Sequence, residues 1–185
     1  HIIFGLPTAV KNIKDRFSLM ALSTLYGGGM SSRLFQQVRE KRGLCYSIFS
    51  FAALHSDGGS FGVYAGTSAT QVNEMLSVCA GELAAVASGV ADCEVERAKA
   101  QIRASLLMNR ESVSSCADAL ARQIMLFGYP QHDSELLDAI DAIDGAKIAA
   151  LAASLVGGDV PSMACVGPSL DLMTNDSFSA KFSAS

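Results

Sequence analysis

The chain has 185 residues, of which half are hydrophobic and 17% charged, and its formal net charge is −4. This length suits one domain, with two small domains as the alternative, and is enough to bury a core without disulfides or metals. The small negative charge argues against nucleic acid as a partner.

The cysteines, the apolar runs and the first residue of the chain indicate the kind of protein to which it belongs. Five cysteines are scattered with no Cys-x-x-Cys spacing, and this pattern indicates reduced intracellular thiols, not a disulfide framework or a zinc knuckle: Cys45, Cys79, Cys93, Cys116 and Cys165. Since no apolar run reaches the roughly 18 residues of a membrane span, we expect no membrane partner. The chain starts without Met, directly on an apolar strand, so we expect a piece of a longer polypeptide.

The first third of the chain predicts a strand and two helices. Apolar residues predict a strand over 1–6 that ends at Pro7, and helical spacing predicts a helix over about 12–26. Glycines end this helix: Gly27, Gly28 and Gly29. Ser31 or Ser32 can cap the next helix, which we expect to end at Gly43.

The middle of the chain predicts a hairpin followed by helices. Alternation predicts strands over 45–54 and 60–66, joined by the turn residues 55–59. A capping box at 68–71 predicts the start of a helix that ends at Gly89.

The last half of the chain is mainly helical. Asp92 is expected to cap a long helical region with a break at 112–115. Two more helices and a last strand follow, at 134–143, 144–156 and 161–166. We expect one domain over 1–168 and a loose polar tail over 169–185.

The order of these elements predicts the fold class. A hairpin with helices segregated from it favours an α+β fold. We therefore expect two layers, with one mixed, mainly antiparallel sheet and helices packed on one face. No internal repeat is evident.

Two common kinds of site are poorly supported. The glycines at 27–29 precede a helix whose N-terminus could bind a phosphate, but they follow a helix and lack G-x-x-x-x-G-K-[ST]. A turn or a substrate-facing loop fits them better. His132 and Glu135 fall one ligand short of the zinc motif H-x-x-E-H, because Leu136 stands where the second His would be. We expect no metal on this chain.

Arg39 and Tyr46 form a better candidate site. Arg39 lies on the short helix and Tyr46 opens the next strand, so we expect their side chains to lie near each other. A guanidinium can bind a carbonyl or an oxyanion, and a phenol can donate beside it. The alternative is that Arg39 belongs to a solvated charge run and Tyr46 is half-buried core. This pair supplies neither nucleophile nor base, so its chemistry would need a partner.

Residues 27–46, GGGMSSRLFQQVREKRGLCY, resemble the C-terminal-half signature of the pitrilysin/insulysin family of zinc peptidases. The likeness is strongest to bacterial peptidases related to the mitochondrial processing peptidase. It continues through 61–67, 96–108 and 166–168. The resemblance implies the α/β roll shared by the domains of this family.

The resemblance also implies a function. Such peptidases have two similar halves that close around a chamber, and the N-terminal half holds zinc through H-x-x-E-H and a downstream Glu. The C-terminal half keeps an Arg and a Tyr that reach the bound peptide, and Arg39 and Tyr46 match their spacing. The implied substrates are unfolded peptides or presequence-like segments. The loop at Gly27, Gly28 and Gly29 would adjoin them.

The resemblance also implies partners for this chain, and two alternatives to it stay open. Zinc would be bound by the other half, in the same polypeptide or a separate subunit, and this chain alone, lacking H-x-x-E-H, would be inactive. The isolated half could self-associate, and the expected location is the bacterial cytoplasm. One alternative is a non-catalytic structural or peptide-binding subunit, although the presence of both Arg39 and Tyr46 argues against it. Another is an unrelated α+β thiol enzyme, which would need one Cys with a depressed pKa.

Overall fold

The computed structural model describes residues 1–9, 13–55, 58–168 and 171–183. Its strands are β1 (Ile2–Thr8), β2 (Cys45–Leu54), β3 (Gly59–Thr67) and β4 (Ser162–Cys165). Its α-helices are α1 (Ile13–Gly27), α2 (Val72–Ser88), α3 (Asp92–Asn109), α4 (Val113–Phe127), α5 (Asp133–Asp141), α6 (Gly145–Val156) and α7 (Asn175–Ser183). Some expected features lie outside the described residues: the helix start at Asn12, the centre of the hairpin turn at Ser56 and Asp57, and the tail start at Ser169.

The strands form one sheet in the order β2-β3-β1-β4. β2 and β3 are the expected hairpin, in register from Ser47 opposite Gly66 to Leu54 opposite Gly59. β1 pairs with β3 over its whole length and with β4 over Ile2 to Gly5. The α+β prediction is confirmed, and the sheet expected to be mixed is antiparallel in each of these pairings.

Pro7 lies inside β1, opposite Ser60, whereas the sequence predicts a strand that ends at this proline. Proline has no N–H to donate to a neighbouring strand, so within a sheet it is confined to positions where that neighbour is missing. β4 pairs with β1 only as far as Gly5, so at Pro7 the strand is already an edge. The proline is tolerated there because its missing donor costs no ladder bond.

The helices cover one face of the sheet, as the sequence analysis expected. Alternate residues of β1 point into this core, and Ile2, Phe4 and Leu6 are each at most 2% exposed. α1 packs against β2, α3 and α6, while α2 packs against α6 and α7. Burying each large aliphatic or aromatic side chain contributes about 1.5–3 kcal/mol, so this shared core holds the two layers together.

Side-chain caps mark two of the expected helix starts. Ser112 begins α4 by accepting a hydrogen bond from the Ser115 amide at 3.3 Å, which accounts for the predicted break. Asp144 begins α6 by accepting from the Lys147 amide at 2.7 Å. These bonds satisfy amide donors that have no partner within the helix.

The C-terminal segment differs from the expected loose tail, because it contains helix α7. Phe178 is fully buried, with its ring centroid 4.9 Å from that of Phe4 in β1. Phe182, four residues on, is 3% exposed and packs edge-on against Phe178. The i, i+4 spacing puts both rings on one side of the helix, which packs against α2.

Among the described helices, none has by itself the length and apolar character needed to cross a membrane. α2 and α3 together have such a length and composition, but they meet at a bend of 103°.

Candidate functional site

Arg39 lies on a short π-helical segment, Phe35–Glu40, between α1 and β2. Leu34 and Val38 are fully buried and fix this segment to the core. Ser32 supports its start, since the Phe35 amide donates to Ser32 Oγ at 3.4 Å. The expected short helix is therefore present, and Ser32, one of the two expected caps, bonds the Phe35 amide from just before it, but the segment is wider than an α-helix.

The chain reverses direction directly after this segment. Gly43 has φ +62°, in the left-handed region where glycine is favoured. Its amide donates to Arg39 O at 3.1 Å, and the Leu44 amide donates to Val38 O at 2.9 Å. These bonds hold the end of the segment against the start of β2, and Gly43 is the predicted stop.

Tyr46 sits at a β-bulge. Cys45 pairs with Thr67 and Ser47 pairs with Gly66, so Tyr46 is an extra residue without a partner on β3. A bulge re-aims the side chain of the strand residue that it displaces. Tyr46 is accordingly 85% exposed, although its neighbour Cys45 is buried.

Arg39 and Tyr46 are brought together by the turn and the bulge. The Arg39 guanidinium carbon lies 5.7 Å from the centre of the Tyr46 ring and 4.6 Å from that of Phe35. Both distances lie within the range of a cation–π contact. Glu40 Oε1 is 4.0 Å from Arg39 Nε, at the outer limit of an ion pair.

This arrangement leaves donor groups available to a ligand. The Arg39 side chain is 39% exposed, and its guanidinium carries five N–H donors in a fixed plane. The phenol of Tyr46 adds an O–H beside them. The pair can therefore donate hydrogen bonds to a carbonyl oxygen or an oxyanion, but it contains no general base.

Tyr46 also borders an open depression of about 670 Å³ at the same end of the sheet. Ser47, Thr67 and Val166 line it from three different strands or strand ends. His1 lines it as well, and its Nδ1 lies 2.6 Å from the hydroxyl oxygen of Tyr64. The sequence does not predict that His1 and Tyr64 meet, because only the register of β1 on β3 places them side by side.

The three glycines of the predicted substrate loop lie before this site. A Cβ atom on Gly27 would stand 2.5 Å from the Ser50 amide nitrogen, and one on Gly28 would stand 2.6 Å from Thr24 Cα. Gly29 has more room, with Gln101 Nε2 at 3.7 Å. Close packing against neighbouring backbone therefore accounts for Gly27 and Gly28.

The remaining candidate groups lie apart from the pair. His132 directly precedes α5, and Leu136 is buried in that helix. In the described ranges of the chain, no three His, Cys, Asp or Glu side chains are placed to hold a metal ion. Burial raises the pKa of the Cys45 and Cys79 thiols, which is opposite to the shift that a thiol nucleophile needs.

Residues 1–102 match the family described as the peptidase M16 inactive domain. The chain is 36% identical over 172 residues to an uncharacterised zinc protease of Streptomyces coelicolor, covering 92% of this chain and 37% of that protein. It is 32% identical over 170 residues to the uncharacterised zinc protease YmxG of Bacillus subtilis, covering 91% and 41%. The chain thus spans about two fifths of the length of these curated relatives.

Two solved structures share the fold at 20% sequence identity. A chain of complex III2 from Candida albicans matches with a TM-score of 0.87, over 98% of this chain and 46% of that one. A protease from Helicobacter pylori matches with a TM-score of 0.73, over 88% and 39%. Both likenesses support the two-layer α+β architecture described above.

Proposed function

Since the chain belongs to the family of the peptidase M16 inactive domain, we propose that it is the substrate-clamping, non-metal-binding half of a zinc metalloendopeptidase. Relatives named as zinc proteases, at 32–36% identity, support a protease context. They are more than twice as long as the stretch matched here, which leaves room for a zinc-bearing half. That half is the proposed partner, in the same polypeptide or as a separate subunit.

The observation that carries this proposal is the position of Arg39 over the Tyr46 ring, 5.7 Å from its centre. A purely structural arginine would be expected to form a close hydrogen bond to a carboxylate or a carbonyl of its own chain, whereas the Glu40 carboxylate stands 4.0 Å from Arg39 Nε. Here two aromatic rings orient the guanidinium, while 39% of its side chain stays exposed. Orienting a cation without using up its donors suits a group that receives a ligand.

The proposed roles follow from the chemistry of the two groups. Zinc in the other half would activate a water molecule for attack on a peptide carbonyl. Arg39 would donate N–H bonds to the substrate backbone near that carbonyl, and Tyr46 would donate its O–H. Both donors would stabilise the oxyanion that develops as the carbonyl is attacked. Unfolded peptides or presequence-like segments are the proposed substrates, because an extended backbone exposes its carbonyl groups.

The test uses the chain assembled with its zinc-bearing half and a fluorogenic peptide. Replacing Arg39 by Ala or Tyr46 by Phe should lower kcat/KM about 10²–10³-fold, because each removes one donor to the oxyanion. Matched controls are Arg122→Ala, whose side chain is 70% exposed on α4, and Tyr129→Phe, whose ring is 52% exposed. Both controls should retain wild-type kcat/KM.

If Arg39→Ala and Tyr46→Phe keep the kcat/KM of the wild type, the proposed binding of substrate by these two residues is excluded. The chain would then act as a non-catalytic structural or peptide-binding subunit. Loss of kcat/KM in the two controls as well would mean that assembly, and not the site, had been damaged.

A further inference from the structure

Residues 28–33 lie between α1 and the Phe35–Glu40 segment, and polar side chains on one side of helix α3 bind them. Gln101 Nε2 donates to Gly28 O at 2.9 Å, and Arg97 Nη1 donates to Ser31 O at 3.3 Å. Glu94, one turn before Arg97, binds Arg33. Residues 94, 97 and 101 share one side of the helix because they are three and four positions apart. Helix α3 therefore binds residues 28–33 through three of its side chains.

The bond between Arg33 and Glu94 is the strongest of these contacts. Arg33 Nε donates to Glu94 Oε1 at 2.8 Å, and Nη2 donates to Oε2 at 2.7 Å. Both side chains are only 19% exposed. The Ala91 amide donates to the same carboxylate at 3.2 Å, so the partner of Arg33 is itself fixed. Such a two-point pair between planar groups defines orientation as well as distance.

The charges of this pair are stabilised by the same bonds. Hydrogen bonding to Arg33 lowers the pKa of the Glu94 carboxyl, against a smaller opposing effect of burial. Hydrogen bonding to Glu94 raises the pKa of the Arg33 guanidinium. Both groups are therefore held in their charged forms, in which they bind each other most tightly.

Arg33 is close in sequence to the groups that orient Arg39. Buried Leu34 follows it directly, and Phe35, whose ring lies 4.6 Å from the Arg39 guanidinium carbon, comes next. The far end of the segment is fixed by Gly43, as described above. Arg33 thus adds a charged anchor at the start of the segment, beside Ser32 and buried Leu34, while Gly43 holds the other end.

We propose that Arg33 and Glu94 are positioning residues that set the orientation of the Arg39 guanidinium over Phe35 and Tyr46. The pair acts through the backbone of the Phe35–Glu40 segment and touches no substrate itself. The orientation of Arg39 by this pair follows from the contacts above, and its effect on catalysis rests on the proposed function.

The first experiment measures the geometry alone, in the full chain. NMR would record the side-chain Nε–Hε signal of Arg39, assigned by its loss in Arg39→Lys. A guanidinium that lies over aromatic rings, as Arg39 lies over Phe35 and Tyr46, has this proton signal displaced to high field. Glu94→Gln, which keeps the shape and the Ala91 bond, should move the signal towards that of free arginine, and so should Arg33→Met.

A matched control lies on the same helix. Arg103 of α3 forms an ion pair with Asp141 of α5, which also joins two elements but does not touch residues 28–33. Arg103→Ala should leave the Arg39 signal in place. If the signal is unchanged in folded Glu94→Gln and folded Arg33→Met, the positioning role is overturned. An equal displacement in Arg103→Ala would overturn it too, because the effect would then be a general loosening of α3.

The second experiment measures catalysis in the assembled peptidase. Glu94→Gln should lower kcat by up to about 10²-fold, as expected when a binding group is misplaced by about 1 Å. The charge-reversed pair Arg33→Glu with Glu94→Arg should regain part of this loss. Glu94→Gln should have no further effect in an Arg39→Ala background, because the two changes act through one group. A full additional loss in that background would overturn the positioning role.

The two experiments separate the two proposals. If Arg39→Ala leaves activity intact, the proposed function fails, while the NMR signal still decides whether Arg33 and Glu94 position Arg39.

Discussion

Gly27 ends α1 where that helix touches β2, so closely that a Cβ atom would stand 2.5 Å from the Ser50 amide nitrogen and 2.7 Å from its Oγ. Backbone cannot move aside as a flexible side chain can. At this residue glycine is required by contact between two elements, which explains it without a mobile loop. The substrate role of Gly27, Gly28 and Gly29 stays a prediction.

Alanine at position 27 should therefore lower the free energy of unfolding by about 1–3 kcal/mol through overpacking. Gly81 is a matched control, because it lies inside helix α2 where an added Cβ atom would have no neighbour within 4 Å. Gly81→Ala should raise stability by about 0.5–1 kcal/mol, since alanine is the better helix former. Urea unfolding measures both variants. Equal stabilities for Gly27→Ala and wild type would contradict the close-contact explanation.

The sequence predicted the meeting of Arg39 and Tyr46 because the two are only seven positions apart, across a helix stop. It did not predict the bulge that turns Tyr46 outwards, because a bulge depends on the register of β2 against β3. Nor did it predict the pairing of Arg33 with Glu94, which are 61 residues apart. Contacts of that span depend on how whole elements pack.

At the scale of elements, the strong periodic patterns predicted the hairpin and the long helices. α7 was missed because its segment is rich in serine and has few apolar residues. Two phenylalanines on one side of a short helix are enough to bind it to α2 and β1 once those elements are formed. The π-helical width of Phe35–Glu40 was also missed, since apolar spacing over six residues does not distinguish it from an α-helix.

Replacing Phe178 by Ala should cost about 3–5 kcal/mol of unfolding free energy, because its ring is fully buried against Phe4 and Phe182. Met125→Ala on α4 is the control, since its side chain is 80% exposed and should change stability by less than about 0.5 kcal/mol. Chemical denaturation would compare the two. A loose tail would instead give both variants the stability of the wild type.

At the scale of the whole molecule, the free energy of unfolding should depend on pH through the bonds between Glu94 of α3 and Arg33. The pKa of Glu94 is lowered in the folded state by its bonds to Arg33, with a further contribution from the Ala91 amide. The unfolded chain then binds more protons between the folded and unfolded pKa values. The stabilisation is complete above the unfolded value of about 4.3 and is lost as pH falls through the lower folded value.

Glu94→Gln should therefore reduce the loss of unfolding free energy between about pH 5 and the acid limit of folding. Unfolding by urea at a series of pH values measures this slope. Asp118→Asn is the control, because Asp118 and its partner Arg122 are 64% and 70% exposed and contribute little. Parallel pH profiles for Glu94→Gln and wild type would rule out this contribution.

The length of this chain, compared with that of its curated relatives, limits what is established about its function. The chain spans about two fifths of its curated relatives, so the zinc-bearing half, the self-association of this half and the cytoplasmic location stay predictions. The family and the two-layer fold are confirmed, and both followed from residues 27–46 and the order of elements.

The bulge at Tyr46 makes the pairing of the sheet independent of the residue that carries the phenol. Cys45 and Ser47 already face consecutive residues of β3, Thr67 and Gly66, so deleting Tyr46 would leave an unbroken ladder. The phenol is in this sense a one-residue insertion into a strand that is complete without it. Deleting this one residue would therefore remove the phenol from the proposed site while leaving the register of β2 on β3 in place.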